Sequence, residues 1–151
     1  MRPENAIAFV DTEIDPETGR VLDLGGIKEG GNTFHSGSAA GFAQFLKGTR
    51  FLCGHNLIRH DVTYIGHELE TAGIDRADLI DTLFWSPLLF PARPYHALVK
   101  DDKLQTQDLS NPLNDAVKAR DLFYDEVAAF AQLDPDLQQI FFFSSASQAR
   151  I

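Results

Sequence analysis

Apolar residues arrive along this chain in short bursts separated by turn chemistry. Ala6-Ile7-Ala8-Phe9-Val10 is a nearly continuous apolar run that stops at Asp11-Thr12-Glu13. So short a run predicts a buried strand rather than a helix. Asp15-Pro16-Glu17-Thr18-Gly19 reads as a turn, with Pro presetting φ and Gly admitting positive φ. A second strand is expected over Arg20–Ile27. A further turn at Gly30-Gly31-Asn32 leads to a third short strand ending near His35. Three strands joined by tight turns predict an antiparallel meander.

Mixed elements follow. Ser38 is a suitable N-cap for a helix from Ala39 to Lys47, with Phe42, Phe45 and Leu46 on one side. Arg50–Gly54 reads as another buried strand. Asp61–Ala72 has helical spacing in Val62, Ile65 and Leu69, with Gly73 as its stop. Leu79–Leu83 is expected to be an edge strand or connector. Pro87, Pro91 and Pro94 forbid one long regular helix over Trp85–Pro94. Asn111-Pro112 pairs an N-cap with a first-position proline, opening a helix with Leu113, Val117, Leu122, Val127 and Phe130 as its apolar spacing and an end near Leu133. The stretch Asp136–Phe143 is apolar, and the Ser-Ser-Ala-Ser that follows reads as an unstructured tail. Residues 1–133 are thus expected to form one domain. Residues 134–151 read as a C-terminal helix or tail and a candidate linker, because Phe141–Phe143 need something to cover them. The whole pattern predicts an α/β domain with a mixed sheet.

Composition narrows the function classes. With 151 residues and 44% hydrophobic content, the chain can bury a proper core. Thirteen Lys plus Arg against twenty-two Asp plus Glu give a formal charge of −9. That balance argues against a protein that coats nucleic acid with a basic surface, and against adsorption to anionic lipid. The lone Cys53 cannot form an internal disulfide, so a reducing, cytoplasmic setting is expected. No apolar run is long enough to span a bilayer, and the N-terminus lacks the shape of a signal peptide.

The candidate chemistry lies in the carboxylates. Asp11 and Glu13, two apart at the end of the first strand, project from one face. Asp61 opens a helix after Gly54-His55-Asn56, and Asp115 lies in the first turn of the Asn111-Pro112 helix. A turn, a cap or a dipole partner explains each alone. Three such sites at element termini point together to one edge of the sheet.

Phe9-Val10-Asp11-Thr12-Glu13, Gly54-His55-Asn56-x4-Asp61 and Asn111-Pro112-Leu113-Asn114-Asp115-Ala116 resemble the three motifs of the DEDD 3′–5′ exonuclease superfamily. Ile80-Asp81-Thr82-Leu83 and Tyr95-His96-Ala97-Leu98 are similar to stretches that this family places between its second and third motifs. The resemblance covers about residues 6 to 130. It implies a ribonuclease-H-like fold: a mixed five-stranded sheet, its first three strands antiparallel, flanked by helices. It also implies two Mg²⁺ or Mn²⁺ ions, which take oxygen ligands, set about 4 Å apart to clamp a displacement at phosphorus. By similarity Asp11 bridges both ions, Glu13 and Asp115 hold the water-activating one, and Asp61 ligates the other. Backbone around Thr12 to Ile14 receives the terminal nucleotide, with His55 and Asn56 in support. The implied substrate is the 3′ end of a nucleic acid, single-stranded by preference. The segment from Tyr95 through Ala116 also looks like exonuclease-type domains at the N-terminus of some bacterial RecQ-like helicases, so a covalently linked helicase domain is an implied partner.

The pattern breaks at one place. The family's general base is a His five positions before the last Asp, and that position is Ser110. A serine hydroxyl cannot replace imidazole near neutral pH. The Tyr that a sister branch uses one residue later is Asn111. General-base help is worth roughly 10²–10⁴ in rate, so its loss slows a two-metal site without silencing it. His96 is the substitute to weigh, against packing beside Tyr95; His60 is a weaker one. A catalytically degenerate domain, serving as an end-binding or protein-interaction module, is the alternative. Zinc at Cys53, His55, His60 and His67 matches no regular ligand spacing.

Overall fold

The computed structural model describes residues 5–93, 96 and 111–148, with side chains to residue 142. Five strands and five α-helices follow one another as β1 (Ile7–Ile14), β2 (Val21–Lys28), β3 (Thr33–Ser36), α1 (Ala39–Leu46), β4 (Phe51–Gly54), α2 (Val62–Ala72), β5 (Leu79–Asp81), α3 (Thr82–Leu89), α4 (Pro112–Ala131) and α5 (Pro135–Gln148). The sheet runs β3-β2-β1-β4-β5 across, so the first strand, not the third, is central. β2 lies antiparallel to β1 and to β3. β4 lies parallel to β1, and β5 parallel to β4. No helix among the described residues is long and apolar enough to cross a membrane.

Strand alternation sends successive β1 side chains to opposite faces. Ala8 and Val10 join Leu24, Leu52, Phe42, Leu46, Leu57, Val62 and Ile65 under α1 and α2. Ile7 and Phe9 join Ile27, Cys53 and Ala116 on the other face, under α4. The Phe9 ring meets Phe123 of α4 at 5.5 Å between centroids.

Two adjacent glycines of β2 allow both layers to close on the sheet. A Cβ at Gly25 would lie 2.2 Å from the Leu113 amide nitrogen, so α4 starts with its backbone against the strand. A Cβ at Gly26 would lie 2.7 Å from the Phe45 ring on the α1 side. Neither approach leaves room for any other residue.

Several boundaries differ from the expectation. β1 carries the apolar run on through Asp11, Thr12 and Glu13, as their shared face requires, paired with Gly25, Leu24 and Asp23, and ends at Ile14. A π-turn, Leu57–Asp61, precedes α2, so Asp61 both closes that turn and stands at the N-cap of the helix, without a side-chain cap bond. Leu79–Leu83 divides into β5 and the start of α3, which tolerates Pro87 and ends at Leu89, before Pro91. In α4 the buried face is Pro112, Asp115, Ala116, Ala119 and Glu126, whereas Val127 is 49% exposed. Of the expected stripe, Val117 packs at the edge of the cluster under α4 and Val127 turns outward, because the helix seated on glycine needs small side chains directly beneath it. The Ser-rich stretch expected as a tail is the last part of α5. That helix meets the rest of the chain through Phe141 against Trp85 and through Gln138 Nε2, which donates to the Phe130 carbonyl.

Candidate active site

Asp11 and Glu13 follow Phe9 at alternate positions of β1 and therefore share the face that α4 covers. Asp115 lies buried in the first turn of α4. Asn111 starts that helix, its Oδ1 accepting from the amides of Leu113 at 2.9 Å and Asn114 at 3.4 Å. The cap fixes where the first turn begins. The helix dipole favours an anion in that turn. Three of the four carboxylates are thus carried by two packed elements, at the end of β1 where α4 begins.

Asp61 is placed differently. β4 ends at Gly54, and beyond it the Asp61 carboxylate lies against β1: Oδ1 accepts from the Thr12 amide at 3.1 Å and from the Thr12 hydroxyl. Asp61 is 2% exposed. Burial pushes its carboxyl up to about 6, opposed by the Thr12 hydrogen bond and the His60 charge. His60 Nδ1 stands 3.8 Å away, and its side chain, 46% exposed, packs beside Tyr64. Thr12 is itself buried, so its side chain holds Asp61. Ile14 lies past a bulge in the β1–β2 pairing and is half-buried.

The Gly54-His55-Asn56 loop is organised by a residue that sequence reasoning left without a role. Asp81, at the end of β5, accepts from the amides of Asn56 at 2.9 Å, Ile58 at 3.0 Å and Leu83 at 3.0 Å. It caps α3 and pins the loop together, which holds Asn56 in the left-handed region at φ 61°. An Asp-Thr pair between a strand and a helix start was the signal available for it. His55 Nδ1 lies 2.8 Å from Thr82 Oγ1, and His96 Nδ1 lies 2.8 Å from Ser86 Oγ. Burial holds the His55 ring below the usual histidine range, with the Asp81 charge acting the other way. His96 therefore meets α3; Tyr95, Ser110 and the remaining residues of the Tyr95–Leu104 stretch lie outside the described residues.

Sequence reasoning also missed Glu126. It is 4% exposed in α4, and its Oε1 has no hydrogen-bond partner among the described residues. Burial pushes its carboxyl up to about 9; the Asp81 and Asp125 charges act in the same direction, and Arg93 opposes them. Cys53, buried on the same face, has its thiol pushed up by burial and by the charges of Glu126 and Asp81. The four residues weighed for zinc are dispersed: Cys53 lies under α4, His55 is held by α3, His60 lies against Tyr64, and His67 is on α2.

The donor set fits a hard divalent cation in kind, being four carboxylates without a thiolate. As they stand, no three His, Cys, Asp or Glu side chains among the described residues are gathered closely enough to enclose an ion. No protein family, no curated protein and no solved structure matches this chain.

Proposed function

We propose that this chain is a metal-dependent 3′–5′ exonuclease of the DEDD type, on a ribonuclease-H-like fold, hydrolysing phosphodiester bonds at single-stranded nucleic-acid 3′ ends. What supports the reading is placement: Asp11 and Glu13 lie on β1, and α4, whose first turn carries Asp115, starts against Gly25, the β2 partner of Asp11. A Mg²⁺ or Mn²⁺ ion held by these carboxylates would supply an acidified water and charge stabilisation for the leaving 3′ oxygen. Asp11, Glu13, Asp115 and Asp61 are the ligands in this reading. Thr12 orients Asp61; the backbone from Thr12 to Ile14 receives the terminal nucleotide; and Asp81 shapes the His55-Asn56 loop beside it. His96, held by Ser86, is the proton acceptor in place of the absent family histidine at Ser110.

Asp61 favours a second reading. Its engagement with Thr12, away from a closed ligand shell, suits a degenerate domain that binds strand ends or a linked helicase-type domain without turnover.

Single strands labelled at the 3′ or 5′ end, incubated with Mg²⁺ or Mn²⁺ and then with chelator, separate the two. The enzyme reading expects a ladder shortened from the 3′ end only with metal, and its loss in Asp11→Ala. Strand binding with no product in either metal leaves the binding module.

A further inference from the structure

Two carboxyls are buried where α4 crosses the ends of β4 and β5. Phe123 of α4 and Ile80 of β5 pack against the cluster that holds Cys53. Glu126 follows Phe123 one helical turn later, and Asp81 follows Ile80; both are buried. The Asp81 charge acts on Glu126, and the charges of both act on the Cys53 thiol, so the three groups share one region.

Hydrogen bonds decide which carboxyl carries the charge. Asp81 accepts from three backbone amides, those of Asn56, Ile58 and Leu83. Several N–H donors on one carboxyl favour its ionised form. Glu126 has no such support: its Oε1 is buried without a hydrogen-bond partner among the described residues. Two like charges sharing a buried region disfavour each other. The proton therefore stays on Glu126 and the negative charge on Asp81. Around Glu126, Arg93 adds an opposing positive charge and Asp125 a further negative one from the same helix, while burial keeps the Cys53 thiol neutral.

The bonds from Asp81 to Asn56 and Ile58 also hold the Gly54-His55-Asn56 loop, with Asn56 in the left-handed region at φ 61°. That conformation is unfavourable for a residue with a Cβ, so it depends on the contacts that impose it.

We propose that Glu126 is a positioning residue that acts through Asp81: its protonated carboxyl leaves Asp81 to tie the loop down, and loss of that proton sets two like charges against each other and releases the loop. The switch is a property of the fold; only its effect on strand cutting rests on the exonuclease reading.

Carbon-detected NMR of the full chain between pH 6 and pH 10 follows the Glu126 carboxyl carbon. It also follows the carbonyl carbons of His55 and Leu57, whose peptide groups donate the two loop bonds. In wild type the carboxyl is expected to titrate at about pH 9, and both carbonyls to move with the same midpoint. In Glu126→Gln, which keeps the shape without the titrating proton, both are expected to hold their neutral-pH positions up to pH 10. Glu126 titrating with the exposed carboxylates, loop carbonyls that ignore its titration, or carbonyls that still move in Glu126→Gln would each overturn the proposal.

Turnover of a labelled single strand adds a readout that a merely structural role would not move. Wild type and Glu126→Gln are expected to cut equally at pH 7.5. At pH 10 the variant should be roughly tenfold faster, because about a tenth of Glu126 keeps its proton there. Parallel pH profiles in a protein that cuts overturn the positioning role. A wild-type protein that cuts no strand at any pH overturns the exonuclease reading instead, and the spectra still decide the switch.

Discussion

The two faces of the sheet differ in how much polarity they bury. Under α1 and α2, eleven buried apolar residues from Ala8 to Ile74 form the larger cluster, with the buried Thr12–Asp61 pair at its edge. Under α4 and α3, five residues form a smaller apolar cluster, and around them Asp115, Glu126, Thr82 and Ser86 are buried too. A face whose centre only holds the sheet together keeps its polar groups at the margin. A face that buries carboxyls and hydroxyls sacrifices packing and adds desolvation costs, which a protein tolerates where chemistry needs them. The second face is therefore expected to respond to pH through Glu126, and the first to volume at its centre and to pH only at its edge, through Asp61.

Substitutions can break this contrast, starting with the largest effect. Phe42→Ala, at a fully buried position under α1, should lower stability by about 3–5 kcal/mol at any pH, read from urea titrations. Glu126→Gln should do the reverse. The folded pKa of Glu126 lies above its unfolded value, so the folded state keeps a proton that the unfolded chain releases. Its contribution is fully present below about pH 4.5 and is lost as pH rises towards about 9. The Gln variant should thus match wild type near pH 4 and exceed it by up to about 3 kcal/mol at pH 7. A pH-independent difference, or a less stable variant, would contradict the burial account. Gly25→Ala sets a Cβ against the α4 backbone and should cost about 1–3 kcal/mol, or more if the helix lifts. Hydrogen exchange should quicken in α4 while α1 and α2 keep their protection. Asn111→Ala removes the cap and should cost about 1 kcal/mol, with fraying confined to the first turn around Asp115.

Much of this architecture is legible in the chain, and the misreadings share one physical origin. Caps and stops were visible because they act locally: Ser38, Asn111 with Pro112, and Gly73 stand where α1 and α4 begin and α2 ends. The end of β1 is legible in its alternation, Asp11 and Glu13 sharing a face, while the partners that hold it there, Gly25 and Asp23 of β2, are not. The α4 stripe is legible only in part, because apolar size is not the whole guide. The helix rests on Gly25, where Ala116 and Ala119 fit directly beneath it, Val117 and Phe123 pack at the edge, and Val127 faces outward. Asp61 was placed in sequence but not in space, since its bond to Thr12 spans elements 49 residues apart. The roles of Asp81 and Glu126 also depend on contacts between distant elements, which spacing along the chain does not express.

Direct counting of bound metal puts the central claim at risk, namely that the β1–α4 edge is a carboxylate site for divalent cations. Electron paramagnetic resonance of free Mn²⁺, titrated with the protein, gives that count. The account predicts two ions taken up per chain, with uptake lost in Asp11→Asn and in Asp115→Asn while the fold is retained by circular dichroism. A free-ion signal that wild-type protein leaves unchanged, or uptake that survives both substitutions together, would contradict it.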